Sequence, residues 1–156
     1  MSERETANGT LELARDAARE LVTLMGYEAE VSARYDDDEQ LWVELDGEDI
    51  DRLIGKKGQT LDALQLVLAK IVGRQIDDAP PLTLDVGGYR RRRAASLEEL
   101  AFRLKDKVLE SGKAVALNPM SARDRRIIHM TLRDVEGVAT RSEGEGLDRR
   151  LLIVPA

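Results

Sequence analysis

Early in the chain, apolar residues recur at steps of three and four. Leu11, Ala14, Ala18, Leu21, Val22 and Met25 share one face, and Gly26 follows as a stop. That spacing predicts an amphipathic helix from Thr10. Residues 1–9 show no periodicity and are expected to be disordered. The period then drops to two. Ala29, Val31, Ala33 and Tyr35 alternate with polar residues, as do Leu41, Val43 and Leu45 after the acidic turn Asp36-Asp37-Asp38-Glu39. This is the pattern of a hairpin with one buried face. The turn fits a solvated loop, because the ligand ladder and Gly of an EF-hand are missing.

Gly47 closes the hairpin. The segment 49–54 has room for about one and a half helical turns. Gly55 to Gly58 forms a turn, and Leu61, Leu64, Leu68, Ile71 and Val72 mark a second helix stopped near Gly73. Leu82, Leu84 and Val86 alternate as a third strand, and Gly87-Gly88 looks like a domain joint. A long helical pattern runs from Tyr89 to Ser111, ended by Gly112. A short strand over 113–117 follows, then a helix capped by Ser121 and running to about Arg133. Strands over 135–141 and 149–154 flank the Gly144-Glu145-Gly146 turn. The order predicts an α+β protein with one domain over 10–87 and a second over 88–156.

Composition changes this picture little; charge changes it more. The chain of 156 residues is long enough for one ordinary domain or two small ones. It has no Cys, which excludes disulfides and thiolate chemistry and suits a reducing cytosol. The first residues lack the apolar run of a signal peptide, and no stretch reads as a membrane helix, so a cytoplasmic protein without membrane insertion is expected. Net charge is −6, yet it is unevenly spread: −11 over residues 1–50, 0 over 51–87 and +5 over 88–156. The local field decides where a polyanion docks, so the acidic total does not exclude one.

Three stretches then stand out. The first is Ile54-Gly55-Lys56-Lys57-Gly58, with Leu61 beyond it. Glycine permits a sharp turn and close approach of a ligand to the backbone. The two lysines add charge, and the next helix is expected to offer free N–H groups behind them. The second is Arg90-Arg91-Arg92-Arg93, at a helix start where positive charge opposes the dipole. A stabilising role is not expected there, and phosphate contact explains the run better. The third is Arg125, Arg126 and His129, with Arg125 and His129 one helical turn apart. His129 fits either a structural role or a binding role.

The first stretch, set between two helical segments and preceded by a hairpin, resembles the type II KH domain. In that family a Gly-x-x-Gly loop clamps the backbone of about four nucleotides. Ile54, Gly55, Gly58 and Leu61 meet its pattern, and Leu53, Ile54 and Leu61 would line its groove or belong to its core. The later text is similar to the R-three-H domain, named for Arg-x-x-x-His. It includes Asn118-Pro119-Met120-Ser121, Arg125 to His129, Ser142-Glu143-Gly144-Glu145-Gly146 and Arg149-Arg150. Together they resemble the bacterial Jag (SpoIIIJ-associated) family. The resemblance implies a three-stranded KH sheet packed by helices, followed by a small α/β domain for single-stranded nucleic acid. It also implies a regulator of RNA fate linked to cell elongation and division, with single-stranded RNA and a small separate KH-domain protein as partners. Many relatives carry an extra N-terminal domain and linker that this sequence does not show, so membrane-proximal recruitment is not carried over.

Catalysis is not expected. One His and no Cys cannot build a zinc site, and no nucleophile-elbow pattern surrounds Ser121 or Ser142. No cofactor or metal is implied. Aromatic residues are only 3%, which argues for backbone clamping over a stacking sheet. The alternative is a protein-interaction adaptor, with the KH fold serving homodimerisation and the acidic face of residues 28–49 docking a partner.

Overall fold

In the computed structural model, which describes residues 2–156, the first helix begins earlier than its apolar period suggests. Helix α1 spans Glu3–Leu24. Ser2 caps it: its Oγ accepts from the Glu5 N–H at 3.3 Å, and the Glu5 carboxylate accepts from the Ser2 N–H at 2.8 Å. The expected disorder over 1–9 is therefore corrected, Met1 alone lying outside the described residues. The first turn is held by this reciprocal capping, which satisfies N–H groups a helix start otherwise leaves open. The Ser2 donors also hold the Glu5 carboxyl below its ordinary pKa.

The chain divides into two units, one ending at Arg90 and one running from Arg91 to Ala156. In the first, β1 (Glu30–Tyr35) pairs antiparallel with β2 (Leu41–Asp46), Glu30 opposite Asp46 and Tyr35 opposite Leu41. Strand β3 (Leu82–Val86) runs parallel to β2, with Leu41 opposite Leu82. A parallel pair needs a crossover, and α2 (Gln59–Gln75) supplies it. The sheet order is β1-β2-β3. Ala14, Ala18 and Val22 of α1 and Leu61, Leu64 and Leu68 of α2 form one core with Leu41, Val43 and Leu45. Helix α2 passes through Gly73, the expected stop, because no neighbouring group or positive φ there demands a turn.

Strand β3 departs from the expected alternation: all five of its residues are buried. Its outer edge is closed by side chains. The Leu84 N–H donates to Gln65 Oε1 at 3.0 Å, and Arg90 Nε donates to the Leu84 carbonyl at 2.7 Å. An edge strand covered in this way cannot recruit another strand.

Helix α3 (Tyr89–Ser111) starts in the first unit and continues in the second. The second unit adds β4 (Val115–Ala116), α4 (Ala122–Leu132), β5 (Val138–Glu143) and β6 (Arg150–Pro155). Its sheet is antiparallel, in the order β4-β6-β5. Leu97, Ala101 and Val108 of α3 and Ile128 and Leu132 of α4 pack with Val138, Leu151 and Ile153. Ser121 caps α4 as its sequence predicts, accepting from the Asp124 N–H at 3.2 Å. The architecture is α+β throughout. No helix among the described residues is long and apolar enough to cross a membrane.

Candidate nucleic-acid interface

The Gly55–Gly58 loop is built from backbone that only certain residues adopt. A 3-10 turn over Ile50–Leu53 leads into it. Gly55 has φ 70° and ψ −175°, a region essentially reserved for glycine. A Cβ there would also lie 2.8 Å from Thr60 Cβ. Lys57 (φ 54°) and Gly58 (φ 80°) are both left-handed in succession. Gly58 is buried, and a Cβ on it would sit 2.9 Å from Cε1 of Tyr89. Lys56 and Lys57 are exposed, and neither forms an ion pair among the described residues. The loop thus presents two cations on a fixed turn.

One expectation about this loop is corrected. The free N–H groups at the start of α2 are fewer than the sequence suggests. Gln59 donates to the Lys56 carbonyl and Leu61 to the Ile54 carbonyl at 3.1 Å. Of the two readings left open for Leu53, Ile54 and Leu61, the core one describes Leu53 and Leu61, buried to 1% and 0% exposure, and Ile54 is half-buried against the same core. Leu61 serves the loop through its N–H.

The four arginines of the run separate. Arg91 and Arg92 are exposed. Arg90 is buried in the first unit. Its Nη1 donates to Asp62 at 3.0 Å and its Nη2 to Gln65 at 2.8 Å, besides the Nε bond to Leu84. Its reading as a phosphate contact is corrected: the guanidinium is fully engaged inside the fold. Arg93 pairs with the buried carboxylate of Asp124 at 2.9 Å, through which α3 holds the first turn of α4. Arg90 and Arg93 are stabilising, contrary to expectation. The unfavourable dipole term of a few tenths of a kcal/mol is outweighed by charge-assisted bonds worth about 1.5–3 kcal/mol each.

In the second unit, Arg125, Arg126 and His129 meet on one wall of an open concavity of about 360 Å³. Strand β5 adds Thr140, Arg141 and Ser142, and Arg149 and Leu151 complete the lining. Two of its arginines and the imidazole are held in place. Arg125 donates to the Met120 carbonyl at 2.7 Å and Arg149 to the Gly144 carbonyl at 2.7 Å. His129 Nδ1 lies 2.6 Å from Thr140 Oγ1. No carboxylate lines this surface, and Glu143 on the same strand is paired with Arg150 at 2.6 Å. Such one-signed concavities concentrate the field and attract anions. Arg141 and Arg149 were absent from the sequence-derived site. Their signal was present in the Ser142–Gly146 and Arg149-Arg150 text, but their meeting with α4 depends on strand pairing across 140–153.

Residues 12–79 match the KH domain of KhpA and KhpB, and residues 95–155 match the R-three-H domain. The chain is 39% identical over 130 residues to an RNA-binding protein KhpB of Clostridium symbiosum, covering 83% of this chain and 59% of that protein. The chain belongs to the KhpB (Jag) family. Other KhpB relatives include that of Bacillus subtilis, 39% identical over 111 residues, 70% of this chain and 53% of the relative. That of Streptococcus pneumoniae is 32% identical over 111 residues, 71% and 34% respectively. The chain spans about half the length, or less, of these KhpB relatives. KH and R-three-H domains are nucleic-acid-binding modules without catalytic function. Among the described residues, no group of three or more His, Asp or Glu is placed to hold a metal ion.

Proposed function

We propose that this chain binds single-stranded RNA in the cytoplasm and regulates the fate of transcripts. The observation that carries the reading is the concavity lined by Arg125, Arg126, His129 and Arg149, with no carboxylate in its lining among the described residues. Its guanidinium groups suit phosphate oxygens, which accept paired N–H bonds in a fixed geometry. The Gly55–Gly58 loop is the second contact. Its glycines allow close approach of a sugar-phosphate chain, and Lys56 and Lys57 neutralise phosphates. Arg91 and Arg92 are further exposed cations in the basic half of the chain. Two contacts on one chain gain from effective concentration wherever the chain lets both engage at once. A small separate KH-domain protein is the protein partner, and control of cell elongation and division is the process served, as the family resemblance implies.

The test is the salt dependence of binding to a short unstructured RNA, read by fluorescence anisotropy. Each lost phosphate contact flattens the slope of log K against log salt by about 0.7. Arg125→Ala with Arg126→Ala is expected to flatten it by about 1.4 and to weaken binding. Lys56→Asp with Lys57→Asp is expected to do at least as much at the loop. Unchanged affinity and slope in both variants would refute RNA binding at these sites.

A further inference from the structure

Tyr89 and Arg90 lie beyond the stretch that matches the KH domain, which ends at residue 79. They nevertheless fasten its loop. The ring of Tyr89 occupies the space beneath Gly58 where a side chain would otherwise point, 2.9 Å from an ideal Cβ at Cε1 and 3.3 Å at the hydroxyl. The next residue locks the ring's backbone in place. Arg90 reaches Asp62 and Gln65, which lie in the first two turns of α2, and its N–H donates to Asp85 Oδ1 at 3.1 Å. The first turn of α3 is thereby pinned to the start of α2 and to β3. Gly58 is in consequence constrained twice, by its φ of 80° and by the ring.

We propose that Tyr89 is a positioning residue for nucleic-acid binding at the Gly55–Gly58 loop, its ring seating Gly58 while Arg90 anchors the seat. The proposal rests on the reading of that loop as an RNA contact. Within the loop, where Lys57 and Gly58 are both left-handed, the Gly58 N–H to Gly55 carbonyl contact is 3.4 Å long, and the Gln59 and Leu61 N–H groups close the turn onto Lys56 and Ile54. Those bonds leave the underside of Gly58 to be supported from outside, and the ring is the side chain that a substituent on Gly58 would meet. Without it the loop is free to sample other turns, and the two lysines lose the fixed spacing that a phosphate chain requires. The RNA-binding unit accordingly extends through Arg90.

The experiment uses the full chain and four variants: Tyr89→Leu, Tyr89→Phe, Gly58→Asn and Gly58→Asn with Tyr89→Leu. Asn tolerates positive φ, so Gly58→Asn tests mainly the collision with the ring. Two readouts are taken, affinity for a short labelled single-stranded RNA and amide hydrogen exchange over residues 56–60. Tyr89→Leu is expected to weaken RNA binding about tenfold and speed loop exchange, with the melting temperature little changed. Tyr89→Phe is expected to retain both. The double variant is expected to bind better than the product of the two single losses, since removing the ring relieves the Asn collision. Unchanged exchange and affinity in Tyr89→Leu, or losses that simply multiply, would overturn the proposal. The Lys56→Asp, Lys57→Asp chain separates the two failures. If it loses RNA while Tyr89→Leu does not, the positioning role alone falls. If it binds RNA like the parent, the loop is not an RNA contact and the positioning role falls with that reading.

Discussion

The two cationic surfaces are made rigid by opposite means. At the Gly55–Gly58 loop the backbone is fixed and the lysine side chains are free. In the concavity of the second unit the side chains are themselves tethered, Arg125 to Met120, Arg149 to Gly144 and His129 to Thr140. A compact, strongly hydrated ammonium on a flexible stem needs a turn to aim it, whereas a planar guanidinium is aimed by one of its own hydrogen bonds. The stability of the loop is therefore sensitive at its glycines and tolerant at its lysine tips, whereas binding depends on the cations at both surfaces.

The largest effect that tests this difference is at Gly55. Its conformation costs a non-glycine residue about 1–3 kcal/mol, and the collision with Thr60 adds a comparable overpacking term. Gly55→Ala is expected to lower stability by about 3 kcal/mol in urea unfolding and to abolish loop binding. Parent-like stability would show that the backbone of the loop is not fixed. Arg149→Ala is the counterpart. It removes an exposed bond to a turn carbonyl, so stability is expected to change by less than about 0.5 kcal/mol. RNA affinity falls instead, with the salt slope flatter by about 0.7. A stability loss as large as that at Gly55 would mean that the concavity is a structural device.

Lys57 sharpens the comparison because its two roles have opposite signs. It adopts φ 54° without a glycine's freedom, which costs about 1 kcal/mol. Lys57→Gly relieves that cost and offsets part of it through a more flexible unfolded chain, for a net gain of about 0.5 kcal/mol in stability. The same change removes one phosphate contact and is expected to flatten the salt slope by about 0.7. A gain in stability with a loss in binding marks a residue kept in a strained conformation for its charge. A loss of both would place Lys57 in the folding core of the loop.

The sequence made the loop legible because its requirement is local: glycine suits such φ values best, and two of them three apart announce a turn. The concavity was half legible. Arg125 and His129 share a helix face by spacing alone, but Arg141 and Arg149 join them only through the pairing of β5 with β6. The arginine run was legible as charge and misleading as chemistry. Four adjacent residues on a helix point in four directions, so Arg90 turns into the fold toward Asp62, 28 positions earlier in the chain, while Arg91 stays in solvent. Nothing in a run of identical letters says which member has a buried carboxylate or carbonyl waiting for it. Disorder over the first nine residues failed for a related reason. The search was for apolar period, whereas the helix start is fixed by polar capping between Ser2 and Glu5.

That cap also yields the smallest expected effect, outside both cationic surfaces. The Glu5 carboxyl is held below its ordinary pKa by bonds from the Ser2 N–H and hydroxyl. A depressed carboxyl pKa contributes stability above the unfolded-state value and loses it as pH falls through the folded-state value. Glu5→Gln keeps an acceptor but not the charge that favours the helix N-terminus. The variant is therefore expected to melt slightly below the parent at neutral pH and together with it in acid, below the folded-state pKa of Glu5. RNA binding is expected to be unchanged at every salt concentration, since neither the Gly55–Gly58 loop nor the concavity includes this turn. A difference in melting that persists in acid would mean that the side-chain shape of Glu5, not its charge, holds the start of α1. A change in RNA affinity would mean that this helix start belongs to a cationic surface after all.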